Sequence, residues 1–130
     1  MFTIEQIHAA HAKVKTGADF PRYIQELKEL GLKKYTNYVT DGHTEYQGTD
    51  GQNLQGPAKY PEMMIAAQSL PEILKRVIKE HQEGKTDYLT VCRQAAEAGV
   101  EKWIVDLVAM TCTYYDTAGN ALMVEAIPNA

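Results

Sequence analysis

The amino-acid sequence predicts an α+β domain built from two degenerate helix-helix-β-hairpin units, with an antiparallel sheet and helices packed on it. Three observations carry that expectation. Amphipathic segments bounded by capping residues occur as a pair in each half, each pair gives way to runs with a period of two, and matching residues recur at a constant spacing between the halves.

A chain of 130 residues with 45% hydrophobic content supports one core, so residues 1–130 are expected to form a single domain, with one unit at about 3–66 and the other at about 69–130. No stretch approaches the roughly 18 to 20 apolar residues that span a bilayer. The opening Met-Phe-Thr-Ile-Glu-Gln-Ile has no basic flank, apolar block or small-residue cleavage site. A soluble, cytoplasmic protein is the expectation. The two cysteines, Cys92 and Cys112, lack the paired spacing of a structural zinc site and read as reduced, buried side chains. A formal net charge of -4 and sparse basic pairs, Lys33-Lys34 and Lys75-Arg76, argue against affinity for nucleic-acid phosphates.

The first helix is expected over about 4–15. Thr3-Ile4-Glu5-Gln6 forms a capping-box pattern, Ile4, Ile7, His11 and Val14 line one face, and Gly17 permits a stop. A second helix follows Asp19, with Phe20, Tyr23, Ile24, Leu27 and Leu30 as its apolar face and Gly31 as its left-handed cap. From Leu32 the period becomes two, through Tyr35–Val39 and His43–Tyr46, with Asp41-Gly42 and Asp50-Gly51 between and after them. Gly56, Pro57 and Pro61 make residues 52–66 a ragged edge strand and a connector. Ser69-Leu70-Pro71-Glu72 then repeats the capping-box pattern before Ile73, Leu74, Val77 and Ile78. Asp87 caps a fourth helix that runs to Gly99. Trp103–Tyr115 and Ala121–Ile127 supply strands around the turn Thr117-Ala118-Gly119-Asn120.

Between the halves, Asp19 matches Asp87, Glu29 Glu97, Gly31 Gly99, Lys34 Lys102, Tyr46 Tyr114, Thr49 Thr117 and Gly51 Gly119. The matches fall on caps, turns and strand anchors. Ala109-Met110, the counterpart of Asp41-Gly42, carries no turn chemistry. Apolar residues there shift from odd positions (Trp103, Val105, Leu107) to even ones (Met110, Cys112, Tyr114). The alternation therefore favours two long, bent hairpins with a β-bulge over four short strands.

The residues Asp41, His43, Glu45 and Tyr46, with Tyr38 nearby, form the candidate ligand-binding site, since a bulged strand presents carboxylate and imidazole together. An Asp-His pair serves general acid-base chemistry when it lies within hydrogen-bond reach. The second half has Ala109, Met110 and Thr111 at the equivalent places, so the polar set occurs once. His8 and His11 stand three apart without a third ligand, so no metal site is assigned and no cofactor is expected. His11 falls on the apolar stripe, which favours a packing role, and His81 reads as an exposed helix-end residue. Among eight tyrosines, Tyr35, Tyr38, Tyr46, Tyr114 and Tyr115 lie on the hairpins, where packing or a flat ligand accounts for them.

Asp41-Gly42-His43-Thr44-Glu45-Tyr46-Gln47-Gly48, followed by Asp50-Gly51 and Gly56-Pro57, together with Phe2-Thr3-Ile4-Glu5-Gln6-Ile7, resembles the domain of unknown function 1398 family over essentially the whole chain. That bacterial and prophage family often carries the label "phage envelope protein". The resemblance implies no activity, ligand or catalytic set. The preferred reading is a non-enzymatic small-molecule or protein-binding module of a bacterial or prophage accessory protein, with no nucleic-acid or membrane partner and with a homodimer left open. Two alternatives stand beside it: a small acid-base enzyme using Asp41 and His43, and a phage structural protein.

Overall fold

A computed structural model describes residues 2–15 and 19–128. Gly17, expected to stop the first helix, lies outside them. Along the described residues the order is α1 (Ile4–His11), α2 (Phe20–Glu29), β1 (Leu32–Tyr38), β2 (Thr44–Gly48), β3 (Asn53–Gln55), α3 (Pro71–Gln82), α4 (Tyr88–Glu97), β4 (Val100–Asp106), β5 (Thr111–Asp116) and β6 (Ala121–Ala126). The strands form one six-stranded sheet, ordered β3-β2-β1-β4-β5-β6, in which every neighbouring pair is antiparallel. The expected α+β class is the observed one. Each half supplies three strands rather than a two-stranded hairpin, because the chain reverses at residues 39–43 and 107–110, where the sequence predicts a single bent strand running on through a bulge.

The helix boundaries follow from local chemistry. At the start of α1 the Gln6 N–H donates to Thr3 Oγ1 at 3.2 Å and the Thr3 N–H to Gln6 Oε1 at 2.8 Å, completing the capping box. The helix ends at His11, short of the expected residue 15, because Lys13 and Val14 donate to Ala10 and His11 and tighten the last turn. Asp87 accepts from the Thr90 N–H at 2.8 Å and caps α4 as expected. The capping box expected at Ser69 does not form. Leu70 is the N-cap, Pro71 opens α3, and Ser69 Oγ donates instead to Asp116 Oδ2 at 2.8 Å. That carboxylate is the stronger acceptor. It also receives the Ala118 and Asn120 N–H groups, and those bonds, Asn120's first, hold it below the usual carboxylate range.

Strand alternation divides the sheet into two faces. Cross-strand register puts Tyr35, Asn37, Thr44, Tyr46, Trp103, Val105, Cys112 and Tyr114 on one of them. The helices lie on this side: Tyr88 of α4 reaches Asn37, Gln82 of α3 reaches Glu125, the partner of Cys112, and Tyr23 of α2 sits beside Tyr35 and Tyr46. Between the layers Ile7, Ile24, Leu27, Leu74 and Leu107 are wholly buried, each contributing roughly 2 kcal/mol through the apolar surface it withdraws from water. Lys34, Thr36, Tyr38, Lys102, Ile104, Thr113 and Tyr115 project from the other face, which ends at β6 with Val124 60% exposed.

The expected bulge at Ala109-Met110 is corrected to a turn. Leu107–Met110 reverse the chain between β4 and β5, with Asp106 Oδ1 accepting the Val108 and Ala109 N–H groups at 2.9 Å. Met110 takes φ 58, the left-handed conformation that Gly42 adopts at φ 76 in the turn between β1 and β2. Register shifts occur instead between Leu32 and Lys34, between Val100 and Lys102 and, where β5 meets β6, between Tyr114 and Tyr115.

Gly99 combines φ +88 with a backbone so close that an added Cβ would lie 2.5 Å from the Gln68 carbonyl oxygen. Gly51, at φ +87, faces open space. Gly99→Ala is therefore expected to cost about 3 kcal/mol or more and Gly51→Ala about 1 kcal/mol, as measured by urea denaturation. Equal costs would refute the crowding at Gly99.

Candidate functional site

The turn between β1 and β2 brings together three of the five residues expected to form a site. Asp41 Oδ1 accepts hydrogen bonds from the His43 backbone N–H, at 3.0 Å, and from His43 Nδ1. An ionised carboxylate only accepts, so Nδ1 carries the proton in this contact. The hydrogen bond from the His43 side chain, followed by the one from its backbone, holds the Asp41 carboxyl below the usual range. Tyr38, the last residue of β1, stacks on the imidazole with centroids 4.5 Å apart and planes 9° from parallel. Burial, then the charges of Glu45 and Glu101, raise the Tyr38 hydroxyl.

Glu45 shares the open face but is engaged elsewhere, accepting from Gln47 Nε2 at 3.0 Å and Gln55 Nε2 at 2.9 Å. Tyr46 points to the opposite, helix-covered face, where it is buried against Tyr35 at 5.9 Å between centroids. It is a core residue. The register adds Lys102, which the sequence reading did not single out for a site, and Tyr115, which it named only among the hairpin tyrosines. Tyr38 lies opposite Lys102, and Lys102 opposite Tyr115, so that the Lys102 ammonium stands 6.0 Å from both ring centroids. The open face thus carries a row of imidazole, phenol, ammonium and phenol.

A second constellation lies beneath the same turn, on the helix side. The connector after β3 folds back over the turn: the Lys59 and Tyr60 N–H groups donate to the Asp41 carbonyl at 2.8 and 3.2 Å, and Tyr60 Oη to the Val39 carbonyl at 2.5 Å. Gly42 admits the Tyr60 ring, which a Cβ would meet at 2.6 Å. Below, Thr44 Oγ1 donates to Asn37 Oδ1 at 3.0 Å and Tyr88 Oη to the same oxygen at 3.4 Å. Cys92 is buried between the Tyr60 and Tyr88 hydroxyls, and burial pushes its thiol up. Burial pushes the Lys59 amine down. A polar Asn37 at an inward position between Tyr35 and Val39 was the available sequence signal for this cluster.

Cys112, also free and buried, has its thiol pushed up to about 12 by burial. His11 does not enter the core. It is exposed and meets the Tyr23 ring edge-on at 5.3 Å. His81 Nδ1 lies 3.0 Å from the Thr86 carbonyl oxygen. Among the described residues no three His, Cys, Asp or Glu side chains are placed to hold a metal ion, and no helix is long and apolar enough to cross a membrane.

The architecture is thus a two-layer α+β domain with one sheet face open and a polar turn at the sheet's β1–β2 end. The family described as "Protein of unknown function (DUF1398)" matches residues 8–126, and the chain belongs to that family. No curated protein matches the chain significantly.

Because the Asp41 carboxyl is held low in the folded chain, its stabilising effect is present above the ordinary carboxylate range and is lost as pH falls through the lowered value. Asp41→Ala is expected to lower stability by about 1 kcal/mol at pH 7 through loss of these hydrogen bonds. The difference from wild type should shrink as pH falls from about 4 toward 2, read by urea denaturation across pH. A difference constant with pH would remove Asp41 from the acid-dependent part of stability.

Proposed function

We propose that the chain is a non-enzymatic small-molecule-binding module of a bacterial or prophage accessory protein, acting in the cytoplasm, and that its ligand is flat and negatively charged. One observation carries the reading: the row His43, Tyr38, Lys102 and Tyr115 across neighbouring strands of an open sheet face. Aromatic rings offer stacking surface at small conformational cost, and an ammonium between two of them offers a counter-charge. Asp41 fixes the imidazole plane, so the row is organised before a ligand arrives. The expectation of no nucleic-acid partner rests on the acidic balance of the chain.

The reading includes an internal duplication in which only the first copy kept the polar turn. The positive-φ pairs Gly31 with Gly99, Gly42 with Met110 and Gly51 with Gly119 support it, as do the equivalent pairs Tyr35–Tyr46 and Trp103–Tyr114 at 5.9 and 5.8 Å.

A second reading, a small acid-base enzyme, is favoured by the Asp41–His43 hydrogen bond, which orients the ring as a general base requires. A thermal-shift screen of planar anionic metabolites, followed by titration of the hits, separates the two. On the binding reading a hit raises the melting temperature, is recovered unchanged, and binds about tenfold more weakly, near 1.4 kcal/mol, to Tyr38→Ala and Lys102→Met. Turnover of a hit that His43→Ala abolishes while binding persists would establish the enzyme instead. Hits insensitive to Tyr38 and Lys102 would move the site off this face.

A further inference from the structure

We propose that the open face of the sheet docks a second copy of this chain, about a twofold axis that runs parallel to the strands between β1 and β4. The inference goes beyond the ligand reading and does not rest on it. By register the outward strand positions form three rows, with Ile104 and Val124 in the middle one, Tyr38 and Lys102 on one side of it, and Lys34 and Asp106 on the other. Val124 is 60% exposed. An antiparallel face with an apolar row between two polar ones is suited to burial against another sheet, about 10 Å away.

The charges on this face are left for an outside partner. Among the described residues neither Lys34 nor Lys102 makes an ion pair, although Lys34 lies opposite Asp106 in the sheet. Asp106 engages Oδ1 alone, with the Val108 and Ala109 N–H groups, so its Oδ2 is unpaired among the described residues. The outward positions set Lys34 and Lys102 against Asp106 and Glu45, a balance within a chain of net charge -4. Two acidic chains can meet there without the repulsion that their other surfaces impose.

The pattern is complementary to itself, which selects a second copy as the occupant. Rotation about the stated axis keeps each residue's height along the strands and exchanges β1 with β4. Lys34 of each copy then faces Asp106 of the other, Tyr38 faces Lys102, and Ile104 faces Thr36. Glu45 falls opposite Thr113, so none of these four charges meets its like. Six strands about 4.8 Å apart, with seven residues in each central strand, offer roughly 600 Å2 on each copy. The roughly 1,200 Å2 buried in total stands at the lower end of specific interfaces and fits a reversible dimer. A planar anion on the Tyr38–Lys102 row competes with the second copy for the same ammonium, so the free chain is the form that binds it.

The test is sedimentation equilibrium of the whole chain without any ligand, so its outcome is independent of whether a planar anion binds. Wild type should dimerise with a dissociation constant below about 100 µM. Ile104→Arg, with its fold checked by circular dichroism, should weaken the dimer at least about tenfold by placing two unpaired charges in the apolar row. Lys34→Met and Asp106→Asn, the latter keeping the Oδ1 acceptor of the turn, should each weaken it about fivefold, and the double variant no further, because both remove the same pair. Met64→Lys, 92% exposed on the connector, should leave the dimer intact. A wild-type chain that stays monomeric at about 300 µM overturns the proposal. So does a dimer that Ile104→Arg and the charge variants leave unmoved, or one that Met64→Lys dissociates.

Discussion

The structure depends on the pairing of β1 with β4. Lys34 meets Asp106 and Tyr38 meets Lys102, and this ladder joins two three-stranded halves whose other strand pairs are all local. The joined residues stand far apart in the chain, so closing that loop costs entropy that the adjacent hairpins do not face. The core repays it. Val105 and Tyr35 meet across the ladder on the helix-covered face, so correct register buries both, whereas a one-residue slip would turn each toward the open face. The same register composes the open face, since Lys102 comes between Tyr38 and Tyr115 only when β1 and β4 are in step.

Two tethers set the helical layer on this sheet. The connector binds the Asp41 carbonyl on one side and, through Ala66 N–H, the Ala96 carbonyl of α4 on the other. Ser69 then binds Asp116 at the turn between β5 and β6. The linker thus touches both halves, and the crowding of Gly99 against Gln68 marks where it passes closest to the sheet. The polar cluster around Asn37 exists because this linker crosses the first turn.

Much of the fold was legible in residue chemistry. Thr3 and Asp87 signal helix starts through side-chain oxygens that accept free N–H groups, and Gly31 and Gly99 signal stops through their left-handed backbone. The turn at Met110 was hidden because a non-glycine residue takes positive φ there, supported by Asp106 rather than by any turn residue at the reversal. Ser69 misled because its acceptor, Asp116, is distant in sequence. Of the candidate site, the Asp41–His43 contact spans two residues and follows from local geometry. Tyr46 was grouped with it by proximity along the chain, whereas strand alternation sends it through the sheet to the core. Lys102 and Lys59 reach the first turn only through tertiary structure, so no local pattern reveals them.

The open sheet also has borders, and they are unequal. β3 offers a ladder of three residues before Gly56 and Pro57 break the extended chain, a template too short to hold a foreign strand. β6 offers six residues, with Val124 uncovered beside the free edge. Glu125, alternating inward beneath that edge and bonded to Gln82 and Tyr114, places a charge where an incoming strand would bury it. The border most able to recruit another chain thus carries its own deterrent against edge-to-edge aggregation.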